Sequence, residues 1–429
     1  MKPKKTNHSQ DRLFDQRLSK QLNPNHELCI FSMLLDWHAL EDKFGLLFVQ
    51  DEGKPAKPVR LVLGIMLLQQ MYGLSDEAVV VRWVENPYWQ LFCGFDYLQW
   101  KFPIHPTTLV GWRKRIGTEG IETVIEKLID TALRVGMVKP SSLTKVIADT
   151  TVMPKGITFP TDAKLYQKGI EELVKFAESN QIMLRQTYKR LSKKAVRLSS
   201  RLFHSRKYKQ ARKEVKRVKT YLGRVFRDIF RKIENNKELE QRAAPVLTVI
   251  GRLLMQEKDD ANKIYSLHEP EVECISKGKA NKKYEFGCKA SLVLTHKEGL
   301  LLSIQALHGK PYDGHTLKAA LEGAKMNSGK EVEVVYVDRG YRGHGVKSCK
   351  VVMSQSKKGL HWRAWKDVCR RQSIEPHIGH MKSEGKLGLN FLKGKLGDKL
   401  NAALCGIGHN MRLIINYIKK QDPLCYNLS

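Results

Sequence analysis

The chain has 429 residues, enough for two or three domains with at least one large core. Its apolar share of 42% is ordinary, but 75 Lys and Arg against 44 Asp and Glu leave a formal charge of +31. Such an excess implies a polyanionic partner, nucleic acid first, while the longest apolar run, Leu61 to Leu68, is too short to span a bilayer. No apolar stretch follows the basic start Met1 to Lys5, so no secretory signal is expected and the cytoplasm is the expected compartment. The eight cysteines form no C-x-x-C pair, which favours reduced, buried thiols over a zinc or redox site.

In chain order, residues 1 to about 23 form a polar, lysine-rich segment, and Glu27 through Phe92 carries helical patterning, with Leu61, Ile65, Leu68 and Tyr72 at helix spacing. Ser75, Asp76 and Glu77 read as a helix start, and His105-Pro106-Thr107-Thr108 leads into a helix bearing Trp112, Arg113, Lys114 and Arg115. The region 24–140 is therefore expected to be an all-helical unit for DNA binding or assembly. A helix-turn-helix and a plain bundle with a basic rim are both open readings.

Val146 to Val152 is a short β-rich apolar run, read as a buried strand that ends near Asp149. A basic helical insertion at about 165–260 follows. Between Arg185 and Lys232 only Glu214 and Asp228 offset the lysines and arginines. Leu191, Ala195, Leu198 and Leu202, then Ala211, Val215, Val218, Leu222, Val225 and Ile229, mark an apolar seam on two basic helices whose outer faces suit a phosphate backbone. Strand texture resumes as a hairpin, Tyr284 to Thr295 and Leu300 to Leu307, followed by a helix from about His315 to Met326. Glu331 to Val337 is a strand with Asp338 at its exit, Val351 to Ser354 a shorter one. A long helix is expected from about Trp365 into the Lys382 region, and an amphipathic helix, Lys399 to Ile418, closes the chain. This order fits a mixed α/β domain whose sheet is interrupted after its first strand.

Asp149 and Asp338 each close an otherwise apolar strand, where a carboxylate needs a metal or a basic partner to offset desolvation. Hard oxygen ligands on rigid elements are what a two-metal phosphoryl-transfer site requires. The third acid is Glu375 or Glu384. Arg371, Glu375 and Lys382 stand at i, i+4 and i+11 and would share one side of a continuous helix, whereas Glu384 falls on the opposite face at about 100° per residue. Pro376 also allows a helix to start beside Glu375 instead of continuing through it. Asp313 reads as a helix N-cap, and His308, His315, His377 and His380 show no metal-ligand spacing.

The strings Asp149-Thr150-Thr151-Val152, Val337 to Gly343 (VDRGYRG) and Arg371 to Lys382 (RQSIEPHIGHMK) resemble bacterial DDE transposases, most closely the insertion-sequence-five family. Glu27 to Gly117, Leu307 to His315 and Leu389 to Arg412 are similar to further segments of that family, so the likeness covers most of the chain. It implies a ribonuclease-H-like catalytic domain over 141–429, with Asp149, Asp338 and Glu375 as catalytic metal ligands for Mg2+, or Mn2+ in its place. It also implies that Lys382 contacts the end phosphate and that Arg371 orients the glutamate or the DNA; apart from the resemblance, Arg113, Lys114 and Arg115 on the basic N-terminal helix are expected as further DNA contacts. One departure stands out: the family's tyrosine three residues before the arginine is Val368 here. The implied reaction is hydrolysis at an element end followed by strand transfer into target double-stranded DNA, by a homodimer or larger assembly associated with the nucleoid. Its rivals are a nuclease that cuts without joining and a non-catalytic DNA-binding derivative.

Overall fold

The computed structural model describes residues 16–48, 55–276, 283–354 and 361–421. The chain divides into two compact units, Met1–Pro154 with Lys289–Ser429, and Lys155–Cys288.

The first unit opens with helices α1 (Leu18–Gln21), α2 (Glu27–Leu34), α3 (Trp37–Gly45), α4 (Val59–Met71), α5 (Asp76–Glu85), α6 (Pro87–Phe92) and α7 (Pro106–Arg134). Their starts follow side-chain chemistry. Asp36, Ser75, Asn86 and His105 each accept a hydrogen bond from a backbone N–H in the first turn of the helix that follows. The apolar run Leu61 to Leu68 lies in α4, which is buried on every side, as a helix without a polar face must be. Gly117, at φ 65°, breaks α7 into two helical stretches.

Five strands of this unit form a sheet in the order β4-β3-β1-β5-β6. Strand β1 spans Lys145–Pro154, β3 Tyr284–Thr295 from Lys289 onward, β4 Leu301–Leu307, β5 Val334–Val337 and β6 Lys350–Met353. β3 and β4 make the expected antiparallel hairpin, and β1, β5 and β6 run parallel to one another. The first strand does not end near Asp149: it continues to Pro154, so Asp149 sits mid-strand.

The insertion-unit helices are α8 (Asp162–Ser179), α9 (Lys189–His204), α10 (Tyr208–Ile233) and α11 (Lys237–Met255), and β2 (Glu273–Ser276) pairs antiparallel with Tyr284–Gly287. Ile170, Leu173, Val174, Ala195, Val218, Leu222, Val225, Ile229 and Ile250 build its core. The seam on α9 is offset from expectation. Ser192, Ala195 and Ser199 face inward, while Leu191 and Leu198 are 40% and 38% exposed. Small residues on the inner face let α9 approach α8 and α10 closely, and the leucines are left at the margin.

Helix α12 spans Asp313–Ser328. The long helix expected from Trp365 is instead α13 (Trp362–Arg370), a single 3-10 turn at Arg371–Ser373, and α14 (Ile374–Ser383). Every residue from Arg370 to Ile374 keeps right-handed helical angles, so the chain coils on without a break. Pro376 lies in the first turn of α14, where its missing N–H would have had no intrahelical acceptor.

The closing helix α15 (Gly394–Gln421) packs on α2, α4, α7, α14 and β4. Asn410 is wholly buried and clamps β4, accepting from Leu301 N and donating to Leu301 O, both at 2.8 Å. Gly408 is required by close approach, because a Cβ there would stand 2.5 Å from the Gln70 carbonyl. Arg412 donates to the carbonyls of Gln70 and Met71 at the end of α4, both at 3.0 Å.

Arg113, expected to contact DNA, is buried. Its guanidinium is paired with Asp76 and donates to Gln69 Oε1, so it ties α7 to α5 and α4 instead of reaching solvent. Although burial acts the other way, hydrogen bonds from Arg113 and Gln69 hold the Asp76 carboxyl below its usual range. Removing one partner of such a pair strands the other's charge. Arg113→Ala should lower the urea unfolding free energy by about 3 to 5 kcal/mol, and adding Asp76→Asn should recover part of the loss. Equal stability of R113A and wild type would show that the pair holds nothing together.

Candidate active site

Parallel pairing of β1 with β5 aligns Lys145 with Val334, Val146 with Val335 and Ile147 with Tyr336. Two residues further in the same register stand Asp149 and Asp338, so the two carboxylates leave neighbouring strands, whose backbones run about 4.8 Å apart. Asp149 Oδ1 accepts from Thr150 N at 2.7 Å, and Asp338 Oδ1 accepts from Gly340 N at 2.8 Å in the turn that follows β5. Arg371 comes from the 3-10 turn after α13, with a guanidinium nitrogen 3.8 Å from Asp149 Oδ2. Burial first, and then the charges of Asp338 and Asp313, push the Asp149 carboxyl up to about 6, against the pull of Thr150 N–H and Arg371.

Glu375 is an exposed residue of the first turn of α14, a helix that packs beside β1. Its setting differs from that of Arg371, whose side chain is only 13% exposed. An ideal 3-10 turn advances about 120° per residue instead of about 100°, so the step at Arg371–Ser373 departs from the regular helix on which Arg371, Glu375 and Lys382 were expected to share one side. Lys382 is half-buried at the end of α14. Glu384 is spoken for elsewhere, with Arg412 Nε at 3.2 Å and His380 Nδ1 at 2.8 Å. Val368, at the family's tyrosine position, is buried and apolar. Lys114 and Arg115 are exposed, and Arg115 lies over the Phe48 ring at 5.4 Å.

The structure adds residues that sequence reading assigned otherwise. Tyr312, not Asp313, holds the cap position of α12, and the Asp313 side chain turns instead to Lys289 of β3, whose Nζ donates to Oδ1 at 2.9 Å. Tyr341 is buried within the field of Asp149, Asp313 and Asp338, and burial together with those charges pushes its hydroxyl well above the usual phenol range. Only its place three residues after Asp338 in VDRGYRG hinted at it. The histidines have structural partners: His409 Nε2 lies 2.9 Å from Gly299 O, His377 packs edge-on against His409, and His308 lies 3.5 Å from Asp398.

A carboxyl raised in the folded state contributes stability that is full below its ordinary value of 3.8 and is lost as pH rises through about 6. Asp149→Asn mimics the protonated form. With a chelator present, it should stabilise the protein at pH 8 by up to about 3 kcal/mol, the equivalent of about two pH units, and the gain should shrink as pH falls to 5. Urea midpoints across that range are the measurement, and a gain that does not vary with pH would contradict this account.

Comparison with known proteins converges on one family. A family model described as "Transposase domain (DUF772)" matches residues 16–115, and one described as "Transposase DDE domain" matches residues 260–362. The second range takes in Asp313, Asp338 and Tyr341, while Asp149, Arg371 and Glu375 lie outside both. An uncharacterized protein, ORF8 in the nfe locus of Rhizobium meliloti, is 41% identical over 208 residues, which is 48% of this chain and the whole of that relative. No solved structure matches the chain. Among the described residues no helix is long and apolar enough to cross a membrane. With two neighbouring aspartates on parallel strands and both transposase models matched, the chain belongs to the DDE transposases of insertion sequences.

Proposed function

We propose that the protein binds the ends of an insertion sequence as double-stranded DNA, hydrolyses a phosphodiester there and joins the freed end to target DNA. The observation that carries this reading is the Asp149–Asp338 pair, two half-buried carboxylates held side by side in register, a setting that a bound cation would relieve. The donor set is all hard carboxylate oxygen, which fits Mg2+ or Mn2+. Asp149, Asp338 and Glu375 would hold these ions, and the pair would supply activation of the attacking oxygen and charge neutralisation at the leaving one. Arg371 orients the Asp149 carboxylate and, as the site fills, offers its guanidinium to DNA phosphate; Lys382 serves the phosphate of the element end. The antiparallel β3–β4 hairpin on one side of β1, with parallel β5 and β6 on the other, supports a ribonuclease-H-like domain. The R-x3-E-x6-K spacing of Arg371, Glu375 and Lys382 favours the insertion-sequence-five group.

Contacts to the DNA backbone fall to the helical insertion and to the exposed Lys114 and Arg115. On α9, Arg190, Lys194, Arg197 and Arg201 are exposed and lie within about 60° of one another, opposite the inward Ser192, Ala195 and Ser199. The two acids of this stretch do not oppose them. Asp228 is buried beside Lys232, accepting also from Arg185 N, and Glu214 is half-buried beside Arg217. Duplex DNA is the partner such a one-signed stripe fits, with the assembly on two ends a dimer or larger.

Two experiments follow. In a cleavage and strand-transfer assay on end DNA with Mg2+ or Mn2+, Asp149→Asn, Asp338→Asn and Glu375→Gln should each lose at least about a thousandfold in rate, equal to about 4 kcal/mol. Cleavage without joining would identify a nuclease, and excision unchanged by D149N would leave a DNA-binding protein. Changing Arg190, Lys194, Arg197 and Arg201 together to Gln should flatten the plot of log affinity against log salt by up to about 3.6 units on duplex DNA, at about 0.9 per phosphate contact. An unaltered slope would remove α9 from the interface.

A further inference from the structure

The acid cluster extends beyond the three residues discussed so far. Asp313 reaches it from the first turn of α12, a different element from those carrying Asp149 and Asp338. Its two oxygens have different neighbours. Oδ1 accepts from Lys289 Nζ at 2.9 Å, and the same Nζ is anchored on the Pro311 carbonyl at 3.0 Å. Oδ2 lies on the Asp338 side: a Cβ placed on Gly340 would stand 3.6 Å from Asp313 Oδ2 and 3.0 Å from Asp338 Oδ1, so the two carboxylates converge over that glycine.

Tyr341, the residue after Gly340, is 1% exposed, and its hydroxyl has no hydrogen-bond partner among the described residues. Asp149, Asp313 and Asp338 all lie close enough to bear on it electrostatically. A buried hydroxyl among carboxylates would ordinarily donate to one of them, because buried polar atoms are almost always paired. This one is held among acids with its donor unspent, and what would satisfy it is an oxygen that none of the described residues provides. Lys289, meanwhile, neutralises the outer oxygen of Asp313 and leaves the inner one for the cluster.

We propose that Asp313 and Tyr341 belong to the divalent-cation site, Asp313 offering Oδ2 as a further carboxylate and Tyr341 Oη donating to an oxygen that enters with the cation. That oxygen belongs to water or to a DNA phosphate. Tyr341 acts as a positioning residue, and Lys289 fixes which face of Asp313 is presented. The inference rests on the reading of Asp149 and Asp338 as cation ligands and deepens it.

The test uses the full-length protein without turnover. Mn2+ binding is measured by electron paramagnetic resonance and by thermal shift, with and without an uncleavable duplex of the element end, for wild type, Asp149→Asn, Asp313→Asn and Tyr341→Phe. In the metal-free protein Y341F should melt at or above the wild-type temperature, since it removes a donor that has no partner. With Mn2+, D313N and Y341F should each bind about 10 to 100 times more weakly, the range typical of supporting groups at metal sites. A Y341F defect present with Mn2+ alone assigns the oxygen to water, and one that appears only with DNA assigns it to phosphate. If D149N loses Mn2+ while D313N and Y341F both bind as wild type does in either condition, this inference fails and the two-aspartate reading survives. If wild type takes up no Mn2+, or D149N binds as well as wild type, both fail.

Discussion

The parallel register that sets two carboxylates side by side on adjacent strands is the constraint around which this transposase is built. Three paired residues of β1 and β5 fix the register, and by extension they bring Asp149 beside Asp338 whatever the rest of the surface does. Burial first, and then the neighbouring acid charges, push the Asp149 carboxyl up to about 6. A fold that merely sought stability would place an apolar side chain there. The cost is tolerated because the backbone on each side is held by other means: Val146, Ile147, Ala148, Val335 and Val337 are wholly or almost wholly buried, and the Asp338 turn is closed by its own side chain on Gly340 N.

The helices around the sheet serve that register. α15 lies against β4 and four of the helices, and its polar groups are used as fasteners at points where backbones meet. Asn410 completes the hydrogen bonding of Leu301, His409 reaches the Gly299 carbonyl, and Arg412 closes the end of α4. Burial pushes His409 down to about 3, so it stays neutral and remains a hydrogen-bonding group rather than a charge. The Arg113–Asp76 pair does the same work among the N-terminal helices. Basic residues in this protein thus divide into two populations. Some are structural and buried; the remainder stand outward, most densely on α9 and α10, where the nearby acids are turned in.

The arrangement also separates what each end of the site does. The strand acids sit on rigid, buried backbone, while Glu375 lies exposed in the first turn of α14, reached through the single 3-10 step that begins at Arg371. Arg371 is the link between the two, coming from the helical side and lying beside Asp149. In the proposed site the strand aspartates would supply the fixed part, and Glu375 would be carried on an element with more solvent around it.

Much of this was legible in the chain itself. Periodicity marked the N-terminal helices, the β3–β4 hairpin, the basic α9–α10 pair and α15, since hydrophobic spacing is a local property written directly in the residues. The acids Asp149 and Asp338, and the Arg371, Glu375 and Lys382 spacing, stood out by position and by family likeness. What the residues alone could not convey depended on neighbours distant in sequence. Arg113 looked like a surface charge because Asp76 lies 37 positions away, and Asp313 looked like a cap because Lys289, 24 positions back, was needed to draw its side chain aside. The end of β1 was misjudged at Asp149 because a carboxylate inside a strand is disfavoured locally and is accepted only where strand pairing supplies the stability. The sequence by itself determined the elements, the charge and the family. Only the tertiary structure decided which charges are buried together, because that depends on strand register and helix packing.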